Sequence, residues 1–168
     1  MYKKPIIVFE GIEGSGKTLH IQNVAKYLKK RKIKFVKIRE PGGSKTSEKI
    51  RQLILKKKNK FHKKTDLLLY LAARNENIVS VINKNKNNII LIDRFIDSTL
   101  AYQHYGMKIN KKIINQLNDF LLNKIRVTFT FLNLVSEKNM KLRLSKRKSL
   151  NRYDSFKIKF YKRVQSGF

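Results

Sequence analysis

Gly11-Ile12-Glu13-Gly14-Ser15-Gly16-Lys17-Thr18 is the stretch on which the reading of this sequence turns. It matches G-x-x-x-x-G-K-[ST], a loop whose glycines let backbone N–H groups turn inward around nucleotide phosphates. In that pattern Lys17 neutralises the β- and γ-phosphate oxygens and Thr18 holds Mg²⁺. The helix that follows adds its positive N-terminus. Gly11, Ile12, Glu13, Gly14, Ser15, Gly16, Lys17 and Thr18 are therefore expected to form an ATP site. A plain strand–turn–helix connection is the competing reading. At an average glycine usage near ~7%, the four-position pattern arises by chance in under about one chain in a hundred.

The flanks support the loop. Pro5–Phe9 is a short, β-branched apolar run and predicts a buried strand. After the loop, Ile21, Val24, Ala25 and Leu28 recur at helical spacing. Further along, Ile33–Ile38 alternates as a strand, Pro41-Gly42-Gly43 is a turn, and Ser47–Leu55 is a short amphipathic helix. Lys56–Lys64 is nearly all basic and predicts a solvated loop. Leu67, Leu68, Leu71, Ala72, Asn75, Val79 and Ile82 trace one face of a long helix, with a polar connection over Asn83–Asn88. Ile89–Ile92 has the unbroken aliphatic character of a central parallel strand. A helix follows the Gly106 turn (Ile113, Ile114, Leu117, Phe120, Leu121). Val127–Leu132 is a further strand, Lys138 to Lys148 a basic helix, and Phe156–Val164 a last helix. This alternation predicts a P-loop NTPase-type α/β fold, a parallel β-sheet flanked by helices with right-handed crossovers. The 168 residues suit one domain.

Asp93-Arg94 closes the Ile89–Ile92 run. Asp93 reads either as a carboxylate near the metal or as an acid that favours a helix N-terminus. Arg94 would point into the crevice where ligands of open α/β sheets bind.

Composition excludes several classes. No apolar run approaches the ~18 residues of a membrane span, and the N-terminal apolar stretch is too short for a signal peptide. A cytoplasmic location is expected. Zero cysteine excludes disulfides and thiolate metal sites. His20, His62 and His104 lack metal-ligand spacing. Net charge is +29. A phosphate or nucleic-acid binder and compositional drift both account for it. Lysine outnumbers arginine 30 to 10, which favours drift, because nucleic-acid grooves favour arginine's bidentate geometry.

At this point the chain resembles the bacterial-type thymidylate kinase (dTMP kinase) family. Phe9-Glu10 precedes the loop, and Arg39-Glu40-Pro41-Gly42-Gly43 follows the second strand. Tyr70-Leu71-Ala72-Ala73-Arg74 looks like the monophosphate-site helix, and Asp93 to Gln103 the family's signature segment. Asn151-Arg152-Tyr153-Asp154 looks like the end of a lid. The resemblance runs from about residue 5 to the C-terminus in the family's order.

The resemblance implies a nucleoside monophosphate kinase-like fold with a lid at about 143–154, using ATP, dTMP and Mg²⁺. It assigns Arg39 and Arg94 to phosphates, Tyr70 to stacking on thymine and Arg74 to its carbonyl. Glu13 would meet the sugar 3′-hydroxyl and Tyr102 the deoxyribose, with Ser98, Thr99 and Gln103 lining the same segment. Thr18 and Asp93 are the metal candidates. The loop carries no basic residue between its glycines, so catalytic arginines are expected from the lid. Arg143 and Arg147 share a helical face, and Arg147 and Arg152 are the catalytic candidates beside Lys17 and Arg94. In so basic a chain, simple solvation competes with each. A homodimer is implied, and neither a membrane nor a nucleic-acid partner is expected. Members of the family commonly extend further, so the chain reads as C-terminally short, which leaves the adenine-contacting loop unassigned. The functional alternatives are another nucleoside monophosphate or deoxynucleoside kinase, and an inactive remnant with non-specific nucleic-acid binding.

Overall fold

A computed structural model describes residues 4–147 and 149–168. The apolar runs become four parallel strands. They are β1 (Ile6–Glu10), β2 (Phe35–Arg39), β3 (Ile89–Asp93) and β4 (Phe129–Leu132), in the order β2-β3-β1-β4. Phe9 and Arg39 both register with Asp93, so the central strands finish at one level. That carboxyl edge is the usual ligand crevice of an open parallel sheet.

Strand alternation sorts the core into two faces. Ile6, Val8, Ile38, Ile90 and Ile92 pack with Ile78, Ile82 and Phe95 on one side. Phe9 and Leu91 pack with Ile21 and Leu28 on the other, where helix α1 (Lys17–Lys30) crosses. Helix α2 (Lys45–Leu55) starts on Ser44, whose hydroxyl accepts the Ser47 N–H at 3.2 Å. Such a cap is typically worth ~1 kcal/mol.

Helix α3 (Lys63–Asn77) runs on through a wider turn over Ile78–Ile82. Its buried face differs from the expected stripe. Leu67, Leu71 and Ile82 are buried, but Leu68 and Val79 are more than half exposed. Asp66, Arg74 and Asn77 are buried instead. The reason is that each of these polar side chains has partners waiting inside, so the inner face of the helix is partly a hydrogen-bonding face.

The segment after β3 is helical as well, a feature that apolar spacing does not signal. Helix α4 (Ile96–Thr99) continues as a π-wound stretch over Leu100–Gly106. Its inward residues Ser98, Thr99 and Gln103 are polar, so the buried face does not read as a core face. Helices α5 (Lys111–Leu122), α6 (Glu137–Ser145) and α7 (Ile158–Ser166) complete the chain. The expected helix to Lys148 ends at Ser145, and Lys148 lies outside the described residues. Helix α7 packs on the 100–106 stretch, where a Cβ on Gly106 would meet the Phe160 ring at 2.7 Å. Tyr102, Tyr153, Phe160, Tyr161 and Val164 form a third cluster there.

The outer edge of the sheet is β4. Among the described residues it pairs only with β1, and all four of its residues are exposed. Phe129 is 56% and Phe131 53% exposed, although Phe131 stacks on Phe9 at 5.5 Å between ring centres. Residues 127–135 (Val-Thr-Phe-Thr-Phe-Leu-Asn-Leu-Val) carry no charge at all. Among the described residues, no helix is long and apolar enough to cross a membrane.

Candidate active site

One cleft of about 660 Å³ opens at the carboxyl ends of the strands. It is walled by the loop after β1, the ends of β2 and β3, α3, the 96–106 helix and the segment around α6. Of the residues singled out from sequence, Glu13 to Thr18, Arg39, Tyr70, Arg74, Asp93 and Arg94 line it. So do Ser98, Thr99, Tyr102, Gln103, Arg143 and Arg147. Gly11, Ile12 and Arg152 do not line it.

The phosphate loop needs its glycines for space as well as for conformation. Gly11 has φ +131°, and a Cβ there would stand 2.3 Å from the Asn133 carbonyl oxygen. Ile12 points its side chain into the core cluster with Val135, Met140 and Tyr161. What both residues offer the site is backbone. Lys17 Nζ donates to the carbonyls of Gly11 and Ile12, each at 2.8 Å, and to Ser15 Oγ at 3.3 Å. Burial pulls its pKa down to about 7, and the nearby Arg94 adds to the effect. An anion placed in the loop would oppose both influences.

Arg94 crosses from β3 to this loop. Its Nη1 donates to the Gly11 carbonyl at 2.7 Å and its Nη2 to Glu13 Oε1 at 3.1 Å. The guanidinium lies over the Tyr102 ring at 5.2 Å, and the Tyr102 hydroxyl donates to the other Glu13 oxygen. Burial works against its charge, but the carboxylates of Glu13, Asp93 and Glu10 more than offset that and hold it protonated.

A second cationic group stands across the cleft. Arg39 is half exposed and grips Glu48 of α2, with both carboxylate oxygens 3.1 Å from Nη2. Arg51 was not singled out from the sequence. It lines the same wall, and its Nη1 donates to the Pro41 carbonyl at 2.6 Å. Its only sequence signal is an arginine three residues after Glu48 in a helix otherwise served by lysine.

Tyr70 and Arg74 face the cleft together, as their four-residue spacing predicts. Tyr70 meets Tyr153 edge-on at 5.9 Å. Arg74 is only 2% exposed and is anchored from four directions. Its Nε donates to Glu40 at 2.8 Å and Nη1 to Asn118 at 2.6 Å. Nη2 donates to the Phe95 carbonyl at 2.9 Å and to Thr99 at 2.8 Å. Four of its five N–H groups are thus committed inside the protein. Gln103 is 1% exposed, and its Nε2 has no acceptor among the described residues. It borders the cleft.

The three lid arginines separate. Arg143 reaches the phosphate loop and donates to the Gly14 carbonyl at 2.6 Å. Arg147 lines the cleft and pairs with the buried Asp154 at 2.6 Å. Arg152 is turned away from the cleft, contrary to the expectation that it closes over ATP. Its Nη2 donates to Asp66, which is 1% exposed and also accepts the Tyr153 hydroxyl. Its guanidinium also lies over the Phe61 ring. A carboxylate buried in α3 demands a cation, and the arginine at the end of the lid supplies it. Tyr153, beside it, is the residue that reaches the cleft.

A phosphate loop at one end, and an aromatic, arginine-lined pocket with its own cationic rim at the other, define a class. This is a P-loop kinase of the nucleoside monophosphate type. Comparison with known proteins narrows it. The thymidylate kinase family model matches residues 9–168. The chain is 41% identical over 165 residues to a thymidylate kinase of Sulfurihydrogenibium sp. (strain YO3AOP1), covering 96% of this chain and 80% of that protein. It is 38% identical to one from Staphylococcus haemolyticus (strain JCSC1435) with the same coverage. The solved thymidylate kinase of Ehrlichia chaffeensis matches it with a TM-score of 0.79 at 35% identity, covering 98% of this chain and 80% of that one. The chain belongs to the thymidylate kinase family.

Proposed function

We propose that this chain transfers the γ-phosphoryl group of ATP to dTMP, giving dTDP and ADP. The supporting observation is one cleft that joins Lys17 and Thr18 at one end to Tyr70 and Arg74 at the other, with Arg94 between them. In the transfer, a dTMP phosphate oxygen attacks the γ-phosphorus. The bond to the bridging β-oxygen breaks, and its electron pair leaves on ADP. The attacking oxygen is already ionised near neutrality, the second phosphate pKa being ≈ 6. No protein base is needed. The protein's task is to bring two anions together and hold positive charge around the moving group.

Lys17 and Arg143 act on ATP, Arg39 and Arg51 on the dTMP phosphate, and Arg94 on both. Arg147 is the lid arginine that meets the transferred group. Tyr70 stacks on thymine, the remaining Arg74 N–H and the Gln103 amide address the base edge, and Glu13 with Tyr102 meets the sugar. Thr18 and Asp93 both line the cleft, and their hard oxygen donors suit Mg²⁺. That ion takes one or two protein oxygens and completes its shell from phosphate and water. When bound, it neutralises charge developing on the phosphates.

The chain works as one kinase domain in the cytoplasm, paired with a second copy. The row Leu68, Ala72 and Val79 on α3 supports the pairing, because it is apolar, follows one helical face and stays exposed.

The test is diphosphate formation from Mg-ATP with dTMP, dUMP, dCMP, AMP and GMP offered separately. A clear preference for dTMP is expected. Thymine and uracil differ by one methyl, worth ~1–3 kcal/mol, so weak use of dUMP is compatible. Equal use of purine monophosphates would overturn the assignment.

A further inference from the structure

Glu10 closes β1, has no exposed surface and lies outside the cleft. Its carboxylate is directed at the turn that follows Arg94. Oε1 accepts the N–H groups of Phe95 at 2.7 Å and Ser98 at 3.2 Å, and Oε2 accepts the Ser98 hydroxyl. Phe95 is the residue before α4 and Ser98 stands in its first turn, where N–H groups have no partner within the helix. The residue before that helix supplies no side-chain cap. Glu10 caps it from the neighbouring strand instead.

The turn needs such a hold. Arg94 has φ +67°, a left-handed conformation that costs a non-glycine residue roughly 1–2 kcal/mol. Strained backbone of this kind persists only where its surroundings determine it. Arg94 is fixed on both sides. Its own N–H donates to the Phe9 carbonyl at 3.0 Å, and the Phe95 and Ser98 N–H groups beyond it are taken by Glu10. Only with that backbone bent does its guanidinium return over the phosphate loop to the Gly11 carbonyl and Glu13.

We propose that Glu10 is a positioning residue for Arg94, holding the 94–98 turn so that the guanidinium stands over the site of phosphoryl transfer. This rests on the phosphate role given to Arg94 above. The experiment is a double-mutant cycle with Glu10→Ala and Arg94→Lys. It reads kcat, KM for ATP and for dTMP, and thermal unfolding. A displaced catalytic group costs on the order of 10²-fold. Glu10→Ala is therefore expected to lower kcat roughly 10- to 100-fold while KM for ATP changes less than about twofold. In the Arg94→Lys background the same change should alter kcat by less than about twofold, because the two residues act as one unit. Glu10→Asp keeps the charge but loses the reach, and it should fall with Glu10→Ala. Wild-type kcat in both Glu10 variants, or losses that multiply in the double variant, would overturn the proposal. Arg94→Lys with undiminished turnover would instead remove the phosphate role of Arg94, whatever the Glu10 variants do.

Discussion

The Arg74 Nε–H donates to Glu40 Oε2 at 2.8 Å, and neither side chain is more than 4% exposed. The pair ties α3 to the turn after β2, directly beneath the pocket proposed for thymine. Burial pushes the Glu40 carboxyl up, and Arg74 opposes the shift. A residue proposed to address the base is therefore also a structural member.

Arg74→Ala should consequently do two things. It should impair dTMP use far more than ATP binding. It should also destabilise the fold by about 3–5 kcal/mol, because a buried carboxylate loses its partner. Adding Glu40→Gln removes the stranded charge, so urea unfolding should recover in the double variant while dTMP use does not.

Lys17→Ala is expected to abolish turnover nearly completely with the fold retained. Lys17 holds the loop carbonyls in this structure, and its proposed part in the reaction is through the phosphates. Wild-type-like turnover with normal unfolding would remove the phosphate-loop assignment.

The lid arginines should part company by readout. Arg152→Ala leaves Asp66 buried and unpaired, and should lower stability by roughly 3–5 kcal/mol. Asp66→Asn should restore most of it. Arg147→Ala should lower kcat and cost less stability than Arg152→Ala, because its partner Asp154 is buried but keeps the bonds donated by the Asn151 backbone and side chain. A common pattern for both would mean the separation seen here has no energetic content.

Stability should also respond to pH through Glu10. Burial raises its pKa from 4.5 to about 7, while bonds from Ser98 and Phe95 and the charge of Arg94 oppose the shift and Asp97 reinforces it. Its folded pKa lies above its unfolded one, so the native state binds more protons between those values. Stability then falls as pH rises from 4.5 to about 7, by up to roughly 3 kcal/mol. Above that window the cost is constant. Glu10→Gln, which keeps an acceptor oxygen for the Phe95 and Ser98 N–H groups, should flatten this slope and raise stability at pH 8. Chemical denaturation at several pH values reads the difference.

Charge repulsion gives a final expectation. At +29, the native state should gain stability as salt is raised from about 0.01 to 0.15 M, where screening shortens from ~30 to ~8 Å. Thermal unfolding in sodium chloride measures it. An unchanged midpoint would mean the lysines are too dispersed to strain the fold.

All four strands were legible, three as short apolar runs bounded by charge or turn residues and β2 by its alternation of apolar and basic residues. The phosphate loop and the cleft-facing spacing of Tyr70 and Arg74 were legible too. Most of what escaped shares one cause. Apolar periodicity finds surfaces that meet hydrocarbon, and this site is built from polar groups meeting one another. The 96–106 helix turns Ser98, Thr99 and Gln103 inward, so it carried no stripe. On α3 the same blindness misdrew the buried face, where Asp66, Arg74 and Asn77 replace Leu68, Ala72 and Val79. Among the arginines, sequence could not tell Arg147 from Arg152. Only the position of Asp66, 86 residues away in the chain, separates them. Arg51 was lost in the general abundance of positive charge.

The two edges of the sheet differ in kind. β2 carries Lys37 and Arg39 among its apolar residues and follows Lys34, the sort of charge that repels an incoming strand. β4 has none. The sheet is therefore extensible on one side only. A further strand could be laid against β4 without disturbing any hydrogen bond of the existing four, and the cleft above β1 and β3 would keep its shape. On that side the outer boundary of the sheet lies apart from the cleft, whose walls are the loop after β1, the ends of β2 and β3 and the helices above them.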